Sequence, residues 1–175
     1  MAQSLQGQLL IAAPSLFDYF RRTVILILEH NEEGAMGVVL NRRSETLVVE
    51  AVPALAALPG AEEAVYVGGP VAPATVVALG DFDDPSEAGT HVTGSLGTLD
   101  PDRPSPSLQR LRVYAGYAGW SAGQLDDELE EGAWIVERAD AEDPFSDGDI
   151  WSEALRRKGG AYSLVATMPG DPTAN

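Results

Sequence analysis

The chain has 175 residues, of which 45% are hydrophobic and 22% charged, a balance typical of one globular domain and not of a disordered protein. Its 11 Lys and Arg residues against 27 Asp and Glu residues give a formal net charge of −16. Phosphate backbones are bound by clustered basic residues, so this charge argues against direct nucleic-acid binding. Because there is no cysteine, disulfides, thiolate nucleophiles and Cys-based metal sites are excluded.

The apolar runs predict a cytoplasmic protein without a membrane partner. The N-terminal run, residues 9–13, is short and follows no Lys or Arg, whereas a secretory signal has a charged start and a longer apolar stretch. The next run, residues 24–28, is stopped by Glu29 and falls far short of the roughly 20 residues that span a bilayer.

Short apolar runs in the first half of the chain predict mainly strands. The predicted elements, in order, are a strand at 7–12, a short helical or turn segment at 14–20, strands at 23–28 and 35–40, a short helix at 53–58, and strands at 64–67 and 75–79. Residues 30–34 form a connection of hairpin length, in which Gly34 can adopt the left-handed conformation that closes a turn. His30 is then a turn residue or the polar cap of a strand end.

The second half mixes strands with two helices. Its predicted elements, in order, are an acidic loop at 81–90, a strand within 91–99, a surface connection at 100–107, a strand at 112–117, a helix at 121–131, a strand at 133–136, a helix ending at 158 and a closing strand at 162–168. Ser121 and Gln124 form a capping box for the first helix, and Asp147 or Asp149 caps the second. We expect one domain over residues 1–168 and a loose tail over 169–175.

The segment Gly119-Trp120-Ser121-Ala122-Gly123 fits the G-x-S-x-G pattern of a nucleophile elbow and lies between a predicted strand and a predicted helix. An α/β-hydrolase has its catalytic His after the nucleophile, whereas His30 and His91 both precede Ser121. A serine hydrolase that uses Ser121 with His30 remains an alternative, because triads are defined by geometry and not by chain order. The simpler interpretation of Ser121 is a helix N-cap.

No pattern in the sequence predicts a metal or a cofactor. The two histidines are far apart and form no H-x-x-x-H pair, and the corner Gly68-Gly69-Pro70 lacks the remaining residues of a P-loop or a dinucleotide-binding fingerprint. The acidic run at 126–131 is interpreted as a solvated helix face. The aromatic residues Tyr114, Tyr117 and Trp120 fit either core packing or the wall of a pocket.

Several segments, in order, resemble the YqgE/AlgH family of bacterial proteins. They are FRRTV (20–24), EHN (29–31), GAMGVVLN (34–41), GGPV (68–71), YAGYAGW (114–120) and GQL (123–125), and ATMP (166–169) is similar to the actinobacterial branch. The chain departs from the family pattern at Arg43, where the family has Pro. The resemblance implies a single α+β domain, built on a mixed, mostly antiparallel β-sheet flanked by short helices. It also implies largely unknown functions and offers no catalytic set.

The first hypothesis is a non-catalytic cytoplasmic module, with a role in regulation, that binds a small molecule or a protein partner. Loops at strand ends usually carry binding sites, so the residues at these ends should converge in one concave site. These residues are His30, Asn31, Asn41, Gly68, Gly69, Tyr117, Trp120 and Gln124. The alternatives are the hydrolase with Ser121 and His30, and a DNA-binding regulator, whose affinity would fall steeply with salt.

Overall fold

A ten-stranded β-sheet organises the part of the chain that the structure describes, with short helices on both faces. The computed structural model describes residues 4–16 and 18–168. In chain order the strands are β1 (Gln8–Ala12), β2 (Val24–Asn31), β3 (Gly34–Val39), β4 (Arg43–Leu47), β5 (Ala64–Val67), β6 (Val71–Phe82), β7 (Thr90–Thr93), β8 (Leu96–Thr98), β9 (Leu108–Ser121) and β10 (Trp134–Arg138).

The strand pairing is mixed and mostly antiparallel, which confirms the expected fold class. The order across the sheet is β10-β1-β2-β3-β9-β6-β8-β7, and β4 joins this sheet through β5. The pair β5–β9 is parallel, and the other pairs among the described residues are antiparallel. Strand β9 therefore contacts β3, β5 and β6, and residues on β9 lie at the centre of the domain.

Four short α-helices accompany the sheet, together with isolated 3₁₀ turns. They are α1 (Val48–Ala51), α2 (Gln124–Glu130), α3 (Ile150–Lys158) and α4 (Ala161–Val165), and the 3₁₀ turns are Pro53–Leu55, Pro85–Glu87 and Asp143–Phe145. Asp149 is the N-cap of α3 and accepts the Ser152 N–H at 3.2 Å, which confirms the predicted cap. No helix in the described ranges has the length and apolar character needed to cross a bilayer.

Strand β9 packs on both faces of the sheet. One face of the sheet is covered by α1 and α2 and is called the α2 face; the other is covered by α3 and α4 and is called the α3 face. Val113 is buried in a cluster on the α2 face, and Tyr114 is buried in the cluster on the α3 face. Because strand side chains alternate, Arg112 shares the α3 face with Tyr114. Gly116, with a φ of 74°, lies where the pairing with β6 shifts register. This bulge moves the alternation by one residue, and Tyr117 packs on the α3 face as well.

The predicted hairpin between β2 and β3 is confirmed. Asn31 pairs with Gly34 across a two-residue tip, Glu32 and Glu33. His30 lies within β2 opposite Ala35, so it is a strand-end residue and not part of the turn.

The predicted N-cap role of Ser121 is wrong. Helix α2 begins at Gln124 with Gly123 at its N-cap, where φ is 76°. Ser121 is instead the last residue of β9, because its backbone is held in extended conformation by pairing with Gly34. One half of the capping box survives, since Gln124 Oε1 accepts the Ser121 N–H at 3.0 Å.

The predicted closing strand at 162–168 is also wrong, because this segment begins with helix α4 and packs on α3. Ser152 Oγ donates to the Ala166 carbonyl at 3.1 Å, and Ala166 is buried in the cluster of the α3 face. Leu164 is 74% exposed, so the apolar run does not mark a buried strand. The predicted tail at 169–175 lies outside the described residues.

The remaining differences concern polar or interrupted elements. The sequence does not predict strand β4, because RSETL lacks an apolar alternation, and it does not predict the short helix α1 that follows. The single strand predicted within 91–99 is the hairpin β7–β8, which turns at Gly94. Strand β6 continues to Phe82, which is buried, so the acidic loop begins two residues later than expected.

We expect Gly34→Ala to destabilise the domain by about 3 kcal/mol or more. Gly34 has a φ of 138°, and a Cβ there would collide with the Trp120 carbonyl on the neighbouring strand. Gly94→Ala is the control, because Gly94 also has a positive φ of 53° but has no atom within 4 Å of a new Cβ. It should cost roughly 1 kcal/mol in urea unfolding, and equal losses in both variants would contradict the close approach of β3 and β9.

Candidate functional site

The structure places the eight residues predicted to converge in three separate groups. The first group lies around the β2–β3 tip, the second lies at the Gly116 bulge, and the third is one residue at the other end of the hairpin. The first group contains His30, Asn31, Trp120 and Gln124, the second contains Gly68, Gly69 and Tyr117, and the third is Asn41. Asn41 Oδ1 accepts the Val24 N–H at 3.1 Å, which puts Asn41 about 20 Å from His30 along β2.

The polar groups at the β2–β3 tip are used by the local backbone. His30 Nδ1 accepts the Leu5 N–H at 2.9 Å, and Asn31 Oδ1 accepts the Glu33 N–H at 2.8 Å. Both bonds fix neighbouring chain segments, as strand-end and turn residues do. His30 therefore anchors the segment that precedes β1.

The structure does not bring Ser121 and His30 together. His30 pairs with Ala35, which pairs with Trp120, so these three residues share one face of the sheet. Ser121 is the last residue of β9, and its Oγ donates to Gln124 Oε1 at 3.3 Å, whereas His30 Nδ1 accepts the Leu5 N–H. His91 is engaged elsewhere, with its Nε2 2.8 Å from the Gly94 carbonyl.

Glu128 on α2 connects the helix to two buried indoles. Its Oε1 accepts from Trp120 Nε1 at 3.0 Å and from Trp134 Nε1 at 2.9 Å, and its Oε2 accepts from Gln124 Nε2 at 2.9 Å. The two indole rings meet edge to face with centroids 6.1 Å apart. The predicted solvated acidic face of α2 thus contains one structural carboxylate, and the motif around Trp120 and Gln124 serves to dock the helix.

Gly68 and Gly69 allow the backbone after β5 to pass directly over the Gly116 bulge. The Gly68 N–H donates to the Ala115 carbonyl at 2.9 Å, and its carbonyl accepts the Val39 N–H at 2.8 Å. A Cβ on Gly68 would meet the Gly116 carbonyl, and one on Gly69 would meet the Tyr117 backbone. These glycines are required by close backbone packing.

Asn41 lines a cleft of about 500 Å³ on the α3 side of the domain. One wall comes from the end of β3, from β4 and from β5, and the other wall comes from the loop that precedes α3. The lining residues are Leu40, Asn41, Arg43, Glu62, Glu63, Ala64, Tyr66, Ser146, Asp147 and Gly148. A volume of this size is within the range of small-molecule sites.

Arg112 lies behind Tyr66 and Glu63, two residues of the cleft lining, and is only 3% exposed. Its Cζ lies 4.2 Å from the centroid of the Tyr66 ring and 5.9 Å from that of Phe145. The nearest carboxylate is that of Glu63 on the cleft rim, with Oε2 3.5 Å from Arg112 Nη2. Among the described residues, Arg112 Nε and Nη1 have no hydrogen-bond partner. Nη2 is thus directed toward the cleft rim at Glu63, and the buried cation is poorly compensated by the protein.

Two other arginines on this side of the domain, Arg157 and Arg110, are well paired. Arg157 makes a bidentate pair with the buried Asp143, with distances of 2.9 and 2.8 Å. Arg110 Nη2 lies 2.6 Å from Asp81, and its Nη1 lies 2.8 Å from Glu142. Hydrogen bonding to Asp143 raises the pKa of Arg157, as expected for a compensated guanidinium. Arg112 differs from both in burial and in the distance to its carboxylate.

Tyr114 adds a second unsatisfied group beside Arg112. Its ring packs against Tyr66 with centroids 6.2 Å apart, and its buried hydroxyl has no partner within the described residues. Burial raises the pKa of the Tyr114 phenol well above its ordinary value, although the Arg112 cation opposes this rise. The hydroxyl is therefore a neutral donor and acceptor at physiological pH.

The cleft has a mainly acidic rim, and the Arg112 cation, which we call the floor of the cleft, lies behind its lining. Glu62, Glu63 and Asp147 are exposed on the rim, and Arg43 is the basic lining residue. The sequence prediction placed Arg112 at the start of a strand and did not assign it a role. The available signal was a charged residue between the apolar Leu111 and Val113. Within residues 4–16 and 18–168, no group of three His, Asp or Glu side chains could hold a metal ion.

Replacing Glu128 with Leu should lower the free energy of unfolding by about 2–4 kcal/mol, because two buried indole N–H groups would lose their acceptor. Glu130→Leu on the same helix is the control, since Glu130 is exposed and should change stability by less than about 1 kcal/mol. Urea unfolding followed by Trp fluorescence measures both variants. Equal small effects would show that the carboxylate does not hold the indoles.

Comparisons with known proteins agree with the fold and cover nearly the whole chain. An AlgH-like family model (DUF179) matches residues 9–163. The UPF0301 protein of Streptomyces coelicolor is 42% identical, with 98% of this chain and 96% of that protein covered. The UPF0301 protein of Mycobacteroides abscessus is 41% identical, with 97% of this chain and 87% of that protein covered. These relatives come from actinobacteria, as the sequence resemblance implied.

Two solved structures have the same architecture. The crystal structure of protein DIP2367 from Corynebacterium diphtheriae has a TM-score of 0.86 and 32% identity, and the match covers 96% of this chain and 94% of that one. The solution structure of AlgH from Pseudomonas aeruginosa has a TM-score of 0.70 and 33% identity, covering 98% of this chain and all of that one. From its sequence and its fold, this chain belongs to the AlgH-like (UPF0301) family.

Proposed function

We propose that this protein is a non-catalytic cytoplasmic module that senses a small polar molecule bound in the cleft over Arg112. The observation that carries the proposal is the buried Arg112 guanidinium, which contacts Tyr66 and Glu63 of the cleft lining and has Nε and Nη1 unpaired among the described residues. Of the residues first predicted to bind, Asn41 is the one that lines this cleft.

The energetics of Arg112 favour a binding role over a structural one. Burying an ion costs several kcal/mol, and each unsatisfied buried donor adds about 1–3 kcal/mol. The stacking on Tyr66 returns only about 1–2 kcal/mol, and the contact with Glu63 is too long for a strong charge-assisted bond. A polar ligand that supplies acceptors would remove the deficit, so its binding would be driven by the pre-positioned cation.

The cleft is also built on rigid supports. The loop with Ser146, Asp147 and Gly148 is fixed at one end by the Asp143–Arg157 pair and at the other by the Asp149 cap. Within the loop, Ser146 Oγ donates to Glu153 Oε2 at 3.2 Å. A pre-formed wall lowers the ordering cost of binding.

Neither alternative function gains similar support. A hydrolase requires Ser121 and His30 within hydrogen-bonding reach, and among the described residues Ser121 Oγ donates to Gln124 while His30 Nδ1 accepts the Leu5 N–H. A DNA-binding regulator requires a cluster of basic residues, and the chain carries a net charge of −16. Binding of a small molecule needs neither feature.

If Arg112 serves binding, Arg112→Met should leave the ligand-free domain at least as stable as the wild type, and up to about 3 kcal/mol more stable. Methionine fills the space without a charge to desolvate. Arg157→Met is the matched control and should cost about 3–5 kcal/mol, because it leaves the buried Asp143 uncompensated. Urea unfolding measures both. A loss at Arg112 as large as that at Arg157 would show that Arg112 stabilises the fold and would contradict the proposal.

Ligand binding itself is tested by two-dimensional ¹H–¹⁵N NMR of the full chain. The probes are inorganic phosphate, succinate, glucose, adenosine and L-glutamine, each at millimolar concentration. We expect at least one probe to shift the backbone amides of Asn41, Tyr66 and Gly148 in the wild type and in Glu32→Gln, which changes the distant hairpin tip. The same probe should have no effect on folded Arg112→Met. If neither these five probes nor any standard L-amino acid shifts the cleft amides, or if the shifts are confined to the β2–β3 tip, the proposal is refuted.

A further inference from the structure

We infer that the molecule bound in the cleft is a zwitterion of the amino-acid type, with a carboxylate for Arg112 and an ammonium group for the acidic rim. This inference rests on the proposed function and names the chemical class of its ligand. It follows from how charge is distributed between the floor and the rim of the cleft.

The guanidinium of Arg112 offers a two-donor edge to a carboxylate. The N–H bonds of Nε and Nη2 point in parallel, which is the geometry that binds both oxygens of a carboxylate. Within the described residues Nε has no partner, and Nη2 has only the 3.5 Å contact with Glu63. The Glu63 side chain is 58% exposed, so it can turn outward without disturbing the core. This edge is buried behind Glu63, so an outward turn of Glu63 would uncover it and let a ligand carboxylate take its place.

The displaced Glu63 determines what else the ligand must carry. Once its carboxylate leaves Arg112, it lies on the rim with Glu62 and Asp147, and the three like charges repel one another. An ammonium group next to the ligand carboxylate would compensate the freed Glu63. A zwitterion thus leaves the net charge of the cleft unchanged.

Ligands with one charged group fit this site less well. A simple anion would satisfy Arg112 but would add negative charge beside three carboxylates, on a chain whose net charge is −16. A simple cation would pair with the rim and would leave Arg112 Nε unsatisfied. In an α-amino acid the carboxylate and the ammonium group are attached to one carbon atom, so the two charges lie close together. The protein charges that they would pair with, Arg112 and Glu63, are also close together.

The test titrates the labelled full chain with each of the twenty standard L-amino acids. The tightest binder is then compared with two analogues, the same acid without its amino group and the same amine without its carboxylate. We expect amide shifts at Asn41, Tyr66 and Gly148, and at least about tenfold weaker binding of each analogue. Binding of the deaminated acid as tight as that of the amino acid would overturn the inference.

Two substitutions separate the roles of floor and rim. In Glu63→Gln the amino acid should bind about tenfold more weakly, while the deaminated acid should bind equally well or better, because the freed negative charge is gone. In Arg112→Met neither should bind, and Glu32→Gln should match the wild type. Equal losses for both ligands in Glu63→Gln would contradict the assigned role of Glu63.

The outcomes also separate this inference from the proposed function. If phosphate, succinate, glucose or adenosine shifts the cleft amides and no amino acid does, the cleft is a binding site and the zwitterion assignment is wrong. If no probe of any class shifts these amides, both proposals fail.

Discussion

A guanidinium group buried on the α3 face without matching acceptors is the feature on which the proposed binding role depends. Arg112 lies on the central strand β9, near the rings of Tyr66 and Phe145, and it contacts Tyr66 and Glu63 of the lining of a cleft of about 500 Å³. Protein interiors rarely retain an ion that the fold itself does not compensate. The arrangement is therefore more readily explained by an occupant of the cleft than by the stability of the domain.

The rest of the fold positions this cation. Gly116 marks the point where β9 changes neighbours, because β5 pairs with β9 before it and β3 pairs with β9 after it, whereas β6 pairs with β9 on both sides of it. Gly68 and Gly69 have no side chains, so their backbone can pack directly on the backbone of Gly116 and Tyr117. This close packing brings Tyr66 of β5 against Tyr114 and Arg112. The glycine-rich segments thus act at a distance from the cleft, by setting the strand positions that form its floor.

Much of the fold could be predicted from sequence, whereas the cleft could not. Apolar runs revealed β1, β2 and β3, because their buried residues form continuous stretches. The polar strand β4 carries no such pattern, and it forms part of one cleft wall. Strand ends were a reasonable place to expect a site, but the ends are distributed over both faces, and only contacts between distant segments decide which ends meet. Asn41 and Ser146 are far apart in sequence and line the same cleft for this reason.

The hydrogen-bonding state of Arg112 Nε–H in the ligand-free protein tests the central claim most directly. Its ¹H–¹⁵N signal can be assigned by its loss in Arg112→Lys and compared with that of Arg110, whose Nε donates to Asp81 at 3.1 Å. An unpaired donor places the Arg112 proton upfield of the Arg110 proton, and a bound carboxylate moves it downfield. A ligand-free signal as far downfield as that of Arg110 would mean that the protein already holds this donor, and Arg112 would then be a structural residue.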